Sequence, residues 1–182
     1  STTSFNGTEF TAPGLVNGDT ISSVNLSSGG AAASAGVGNY DIIADPSSVV
    51  GTGLNNYNIN YATGTLIVNP KTLNITANND SKVYGQTAAN PFNGYTVSGL
   101  VNSDNVSSVD LASTGGAANA NVGSYGITAS NVVGSGLSNY TIQLNSGTLT
   151  VTPLALTITA KSDSKTYGSA YTFSGNEFTE TG

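Results

Sequence analysis

Leu73-Asn74-Ile75-Thr76-Ala77 sets three apolar side chains on alternate positions, and Leu156-Thr157-Ile158-Thr159-Ala160 repeats the pattern further along the chain. A period of two is the signature of a strand with one buried and one solvated face, and Ile and Thr suit a pleated surface. The pattern extends in both directions. Tyr57-Asn-Ile59-Asn-Tyr61 and Tyr140-Thr-Ile142-Gln-Leu144 alternate, as do Val24-Asn-Leu26 and Val109-Asp-Leu111. So do Tyr40-Asp-Ile42 with Tyr125-Gly-Ile127, and Leu66-Ile-Val68 with Leu149-Thr-Val151. Substitution of Tyr61 by Leu144 fits an apolar core position. Leu73, Ile75, Tyr84, Val109, Leu111, Tyr125, Ile127, Tyr140, Ile142, Leu149 and Val151 are the expected core of one domain, and Val24, Leu26, Tyr40, Ile42, Tyr57, Ile59, Leu66 and Val68 that of the other.

The matches keep a nearly fixed offset. Gly14-Leu15-Val16-Asn17-Gly18-Asp19 returns as Gly99-Leu100-Val101-Asn102-Ser103-Asp104, and Val37-Gly38-Asn39-Tyr40 returns in step as Val122-Gly123-Ser124-Tyr125. The first copy then carries a short insertion around Asp45-Pro46-Ser47-Ser48. Beyond it the offset is slightly shorter and stays constant through Lys82-Val83-Tyr84-Gly85 and Lys165-Thr166-Tyr167-Gly168. A third copy then opens, with Glu177-Phe178-Thr179 matching Glu9-Phe10-Thr11. A period as long as the step from Gly14 to Gly99 is too long for a solenoid turn and has the size of a small domain. Prolines mark the joints. Pro70 and Pro153 follow a last strand, and a residue with fixed φ and no N–H makes a short, stiff connector. Cutting there gives a first repeat (1–70), a second (71–153) and the start of a third (154–182). The first lacks the strand that Leu73 to Tyr84 supplies to the second, unless 73–85 closes the first repeat instead. With the former boundary, 154–182 is a spare strand complementary to the gap in the first repeat of another molecule.

No stretch of ten residues has helical periodicity. One short helix per repeat is expected at most, at Asp19 to Val24 and Asp104 to Val109, with Asp as the N-cap. Ala62-Thr63-Gly64-Thr65 and Asn145-Ser146-Gly147-Thr148 read as hairpin connections. The fold class is therefore all-β and mostly antiparallel: small tandem domains, Ig-like sandwich or β-grasp-like, arranged end to end.

Composition removes most chemistry. The 182 residues include four lysines, no arginine, ten carboxylates and no His, Cys, Met or Trp, for a net charge of −6. Without a basic stripe, nucleic acid is not an expected partner. Lacking His and Cys, the chain offers no nitrogen or sulfur metal ligands, no disulfide and no thiol nucleophile. No cofactor is expected. No apolar run reaches the ~18–20 residues of a membrane span, so membrane insertion is not expected. A chain without methionine is expected to be a segment of a longer protein, with any export signal elsewhere in it.

Candidate sites are few, and each has a structural counterpart. Asp19 and Asp104 are the best calcium candidates, but a cap or Asx-turn explains them. Glu177 and Glu180 are the only clustered acids; Glu9 stands alone and the second repeat has Gly94 there, which is no glycosidase pair. Asp80-x-Lys82 and Asp163-x-Lys165 place opposite charges on one strand face. Either these are exposed ion pairs, or the lysine forms an isopeptide bond, which requires a buried lysine beside an Asn or Asp. Tyr40 and Tyr125 follow Val-Gly-x, the setting of a tyrosine whose hydroxyl locks a loop, with carbohydrate stacking as the other use. An ice-binding face would need more regularly spaced threonines than Thr72, Thr76, Thr157 and Thr159 provide. No catalytic residue is assigned, and the chain is not expected to be an enzyme.

The ordered series Lys-x-Tyr-Gly, Gly-Leu-Val-Asn-x-Asp, Val-Gly-x-Tyr-x-Ile, Asn-Tyr-x-Ile, Gly-Thr-Leu-x-Val-x-Pro and Leu-x-Ile-Thr-Ala resembles the MBG repeats of the YGX type. These occur in tandem in large bacterial surface proteins, many of them adhesins of the filamentous-haemagglutinin, two-partner-secretion kind. The resemblance puts Lys82, Tyr84, Gly85, Lys165, Tyr167 and Gly168 in the family signature. It implies a non-catalytic, extracellular segment on the bacterial cell surface, serving as a stalk in adhesion or biofilm formation. The alternative is a module that itself binds glycans or matrix by avidity. Implied partners are neighbouring repeats and, through the parent protein, host or matrix glycans or proteins.

Overall fold

The computed structural model describes residues 3–89 and 92–182. All of its regular elements are strands or short 3-10 turns. The first repeat contains β1 (Ile21–Ser23), β2 (Leu26–Ser27), β3 (Gly38–Ala44), β4 (Val50–Gly51) and β5 (Gly64–Val68). In the second are β6 (Lys71–Ala77), β7 (Asp80–Val83), β8 (Tyr95–Ser98), β9 (Asn105–Ala112), β10 (Gly123–Ser135), β11 (Tyr140–Asn145) and β12 (Gly147–Thr152). β13 (Thr157–Ala160) and β14 (Phe178–Thr181) follow.

The period of the sequence is also a period of register. β3 and β5 pair antiparallel with Tyr40 opposite Leu66 and Ile42 opposite Gly64. β10 and β12 pair the same way, with Tyr125 opposite Leu149 and Ile127 opposite Gly147. The second repeat completes two sheets, ordered β7-β12-β10-β9 and β11-β6-β8. Each has alternate residues buried, as the two inner faces of a sandwich require. β7 runs parallel beside β12, with Lys82 level with Val151.

The cores of the two repeats differ in burial. In the second, Leu73, Ile75, Ile127 and Leu149 are completely buried, with Val109, Leu111, Tyr140 and Val151 nearly so. In the first, Val24 is the buried large side chain, while Tyr40, Ile42, Tyr57, Ile59, Leu66 and Val68 are half-buried. No described strand of the first repeat takes the positions of β6 and β7. Tyr57 to Tyr61 therefore has no strand partner and is not a strand, although it alternates as β11 does. Alternation supplies a face, but a strand also needs a neighbour to receive its hydrogen bonds.

Several expectations are corrected. Asp19 to Val24 and Asp104 to Val109 are not helical; they run into β1 and β9, where Val109 and Leu111 need period-two burial. Asn145-Ser146-Gly147-Thr148 is not a hairpin, because β11 and β12 belong to different sheets. It is a corner between them. Tyr84 is 42% exposed and lies outside the core, since the turn after β7 carries it outward. Tyr61 and Leu144 are 42% and 46% exposed, so neither is a core position. Leu73 to Val83 supplies β6, beside β8 and β11, and β7, beside β12.

The extra residues of the first repeat have a local effect. Asp45 caps a 3-10 turn at Pro46–Ser48 through Ser47. β3 stops there, whereas β10 continues for 13 residues. By contact density the chain forms two compact units that do not follow the sequence period. One holds Ser1–Asn74, Val97–Ser108 and Val133–Gln143; the other holds Ile75–Thr96, Val109–Val132 and Leu144–Gly182.

Candidate functional site

The residues that looked functional in the sequence are employed in fixing turns. Lys82 is 7% exposed, contrary to the exposed ion pair expected of Asp80-x-Lys82. Alternation along β7 turns it inward. Its Nζ donates to the main-chain oxygens of Gln86, at 2.8 Å, and Ala117. Charge-assisted bonds to carbonyls let a lysine be buried without a carboxylate partner. Asp80 accepts instead from the Ser81 N–H, at 2.7 Å. Gly85 follows with φ +88°, a region that a side chain rarely adopts, and its N–H donates to Ala118 O. Lys165 makes the corresponding bond to Ser169 O at 3.3 Å, and Gly168 has φ +82°. Lys165 and Tyr167 are otherwise exposed. Lys-x-Tyr-Gly is thus a turn lock: lysine ties the ends and glycine permits the reversal.

Two tyrosine locks recur. Tyr40 Oη donates to Gly36 O at 2.8 Å and Tyr125 Oη to Asn121 O at 2.9 Å, each four residues upstream. Both rings are half-buried, and the Tyr125 ring lies against Gly115. The second lock has no warning in any single motif. Tyr57 Oη accepts from Val16 N at 3.0 Å and donates to Asp19 Oδ2 at 2.9 Å. Tyr140 Oη does the same with Val101 N, at 2.9 Å, and Asp104 Oδ2, at 2.8 Å. Burial and the adjoining Asp104 raise the Tyr140 pKa above its ordinary value, against the lowering effect of the Val101 N–H. Gly136 sits behind the carboxylate with φ +71°, and a Cβ there would lie 1.9 Å from Asp104 Oδ1. The signal available in sequence was the joint return of Asp, Gly and Tyr in both repeats.

The remaining acids are explained similarly. Glu9 accepts from the N–H groups of Asn6, Gly7 and Thr8, and its pKa is lowered, chiefly by Asn6. Glu177 accepts from Ser174 Oγ, Ser174 N and Gly175 N, which lowers its pKa to about 2. Asp19 and Asp104 each serve a tyrosine. Among the described residues no three acidic side chains converge as a metal site would require.

Pro70 and Pro153 are exposed; Pro153 directly follows β12, and Asn69 separates Pro70 from β5. Within one compact unit, Val37 N donates to Asn139 Oδ1 and Asn102 Nδ2 donates to Ala33 O, both at 2.9 Å. Side chains of the second repeat thereby bond main-chain groups of the first.

Small all-β modules in tandem, whose repeated polar residues lock turns, define the class. The family model for the MBG domain (YGX type) matches residues 3–67 and again 73–150, and the chain belongs to that family. It is a repeat module of the kind found in bacterial adhesins. Comparison with curated proteins and with solved structures gave no match. No helix among the described residues is long and apolar enough to cross a membrane.

Proposed function

We infer that this segment is a non-catalytic spacer in the stalk of a secreted or cell-surface bacterial adhesin, holding a distal binding region away from the cell in adhesion or biofilm formation. The observation that carries this reading is the fate of the polar residues. Lys82, Tyr40, Tyr125, Tyr57, Tyr140, Asp19 and Asp104 are bonded to main chain or to one another, the tyrosines and aspartates in the same way in both repeats. Groups committed to holding turns are not free to bind a ligand, whereas they stiffen a module whose task is length. Stiff modules joined by one proline suit that task.

A second reading, a glycan- or matrix-binding module acting by avidity, draws on Tyr61 and Tyr84, each 42% exposed. Exposed aromatic faces are what sugars stack on. A glycan and matrix-protein array probed with the folded segment separates the two. The spacer reading predicts signals at the level of the blank. Binding that disappears in Tyr84→Ala or Tyr61→Ala would establish the second reading instead.

A further inference from the structure

Two of the tyrosine locks stand on either side of one contact between the repeats. On the first repeat, Tyr40 Oη donates to the Gly36 carbonyl and so fixes the course of the loop 33–37 ahead of β3. On the second, Tyr140 Oη accepts from the Val101 N–H and donates to Asp104. That lock ties the turn containing Asn102 to the 3-10 turn Leu137–Asn139, which precedes β11. Asn102 and Asn139 adjoin the locked residues, and both reach the loop 33–37. Asn102 Nδ2 donates to Ala33 O and Asn139 Oδ1 accepts from Val37 N, within one compact unit.

Asparagine suits this contact. Its amide carries a donor and an acceptor, and the main-chain groups of a loop, with no sheet ladder to satisfy them, need both. It also tolerates the left-handed backbone that Asn102 adopts, with φ 55°. The approach is close: a Cβ on Gly36 would stand 3.3 Å from Asn139 Oδ1. The first repeat has the same pair at the matching places, Asn17 with φ 55° and Asn56 at the end of the 3-10 turn Leu54–Asn56. Residue type and conformation recur together, which marks the pair as a feature of the module. Apolar packing contributes little here. An open cleft of about 300 Å³ lies beside the bonds, lined by Ala33, Val37 and Val68 of the first repeat and Val101 and Asn139 of the second. Where side chains are not closely packed, orientation rests on directional bonds.

We propose that Asn102 and Asn139 form an inter-repeat latch, a platform braced by Tyr140 and Asp104 that docks on the loop 33–37 of the first repeat. The partner that this surface fits is the main chain of an adjoining repeat. A connector at Pro70 limits distance but leaves torsions on either side of it free. Two bonds at separate points of one loop remove that freedom. The latch stands whether the segment serves as a spacer or as a binding module.

The test uses the whole chain, which contains no cysteine. Asn39→Cys on β3 and Gln143→Cys on β11, both exposed, therefore admit two spin labels and no others. Double electron–electron resonance should give one narrow distance. Asn102→Gly combined with Asn139→Ala deletes both amides, and glycine keeps the left-handed backbone without strain. The narrow distance should then be lost to a broad distribution, with circular dichroism unchanged. Tyr140→Phe, which keeps the ring and removes only the hydroxyl, should broaden it as well. In the unlabelled chain, Asn139→Ala should speed hydrogen exchange of the Val37 amide about two- to tenfold, the worth of one ordinary hydrogen bond. Amides of β10 should exchange as before. A distribution already broad in the labelled parent overturns the proposal. So does a narrow one that survives removal of both amides or of the Tyr140 hydroxyl, or Val37 exchange unaltered by Asn139→Ala.

Discussion

Ile127→Ala is expected to destabilise the second repeat by about 2–5 kcal/mol, because its side chain is fully buried opposite Gly147 and its truncation leaves a cavity. The same substitution in the first repeat, Ile42→Ala, should cost roughly half as much or less. Ile42 faces Gly64 in the same register but is only half-buried, so truncation removes less packed area. Urea denaturation followed by tyrosine fluorescence measures both, with single-repeat fragments assigning each transition. For a domain of this size the larger loss is a big fraction of total stability. Equal losses at the two positions would mean that the first repeat closes its core without the β6 strand, against the burial pattern described above.

Lys82→Met is expected to cost about 1.5–3 kcal/mol, the range for hydrogen bonds made by a charged group. Methionine keeps most of the buried length of the side chain, so the loss reports the bonds to Gln86 O and Ala117 O and the two carbonyls left without them. Lys165→Met should change stability by less than about 0.5 kcal/mol, as surface substitutions do. Lys165 stands in the same motif but is exposed, with one long bond to Ser169 O. A signature lysine that mattered through its charge at the surface would give similar, salt-sensitive effects at both sites. Midpoints of urea unfolding at low and high salt distinguish these cases.

Much of the fold was legible because the repeat presents the same evidence twice. Leu73, Ile75, Ile127, Leu149 and Val151 alternate with polar residues and are the core. What alternation does not disclose is pairing. Tyr57 to Tyr61 has the strand pattern but no strand partner, and residues around Gly147 look like a hairpin yet turn a corner between sheets. Burial of a charged residue was also hidden. Lys82 reads as a surface ion pair until the loop carrying Ala117 is brought over it, 35 residues away in sequence. The Asp104–Tyr140 lock was missed for the same reason, since its members are 36 residues apart and neither motif implies the other. Conversely, the upstream main-chain bonds of Tyr40 and Tyr125 are local, four residues in each case, and local geometry is what a short motif encodes.

The central claim, that tandem repeats act as a spacer of defined length, is tested most directly by small-angle X-ray scattering. The whole chain is measured at low concentration. A single compact globule of 182 residues has a radius of gyration of about 16 Å. The spacer reading predicts a clearly larger value and an end-to-end distance distribution that broadens when Pro70 is replaced by two glycines. A radius near that of the compact globule, unchanged by the replacement, would contradict it.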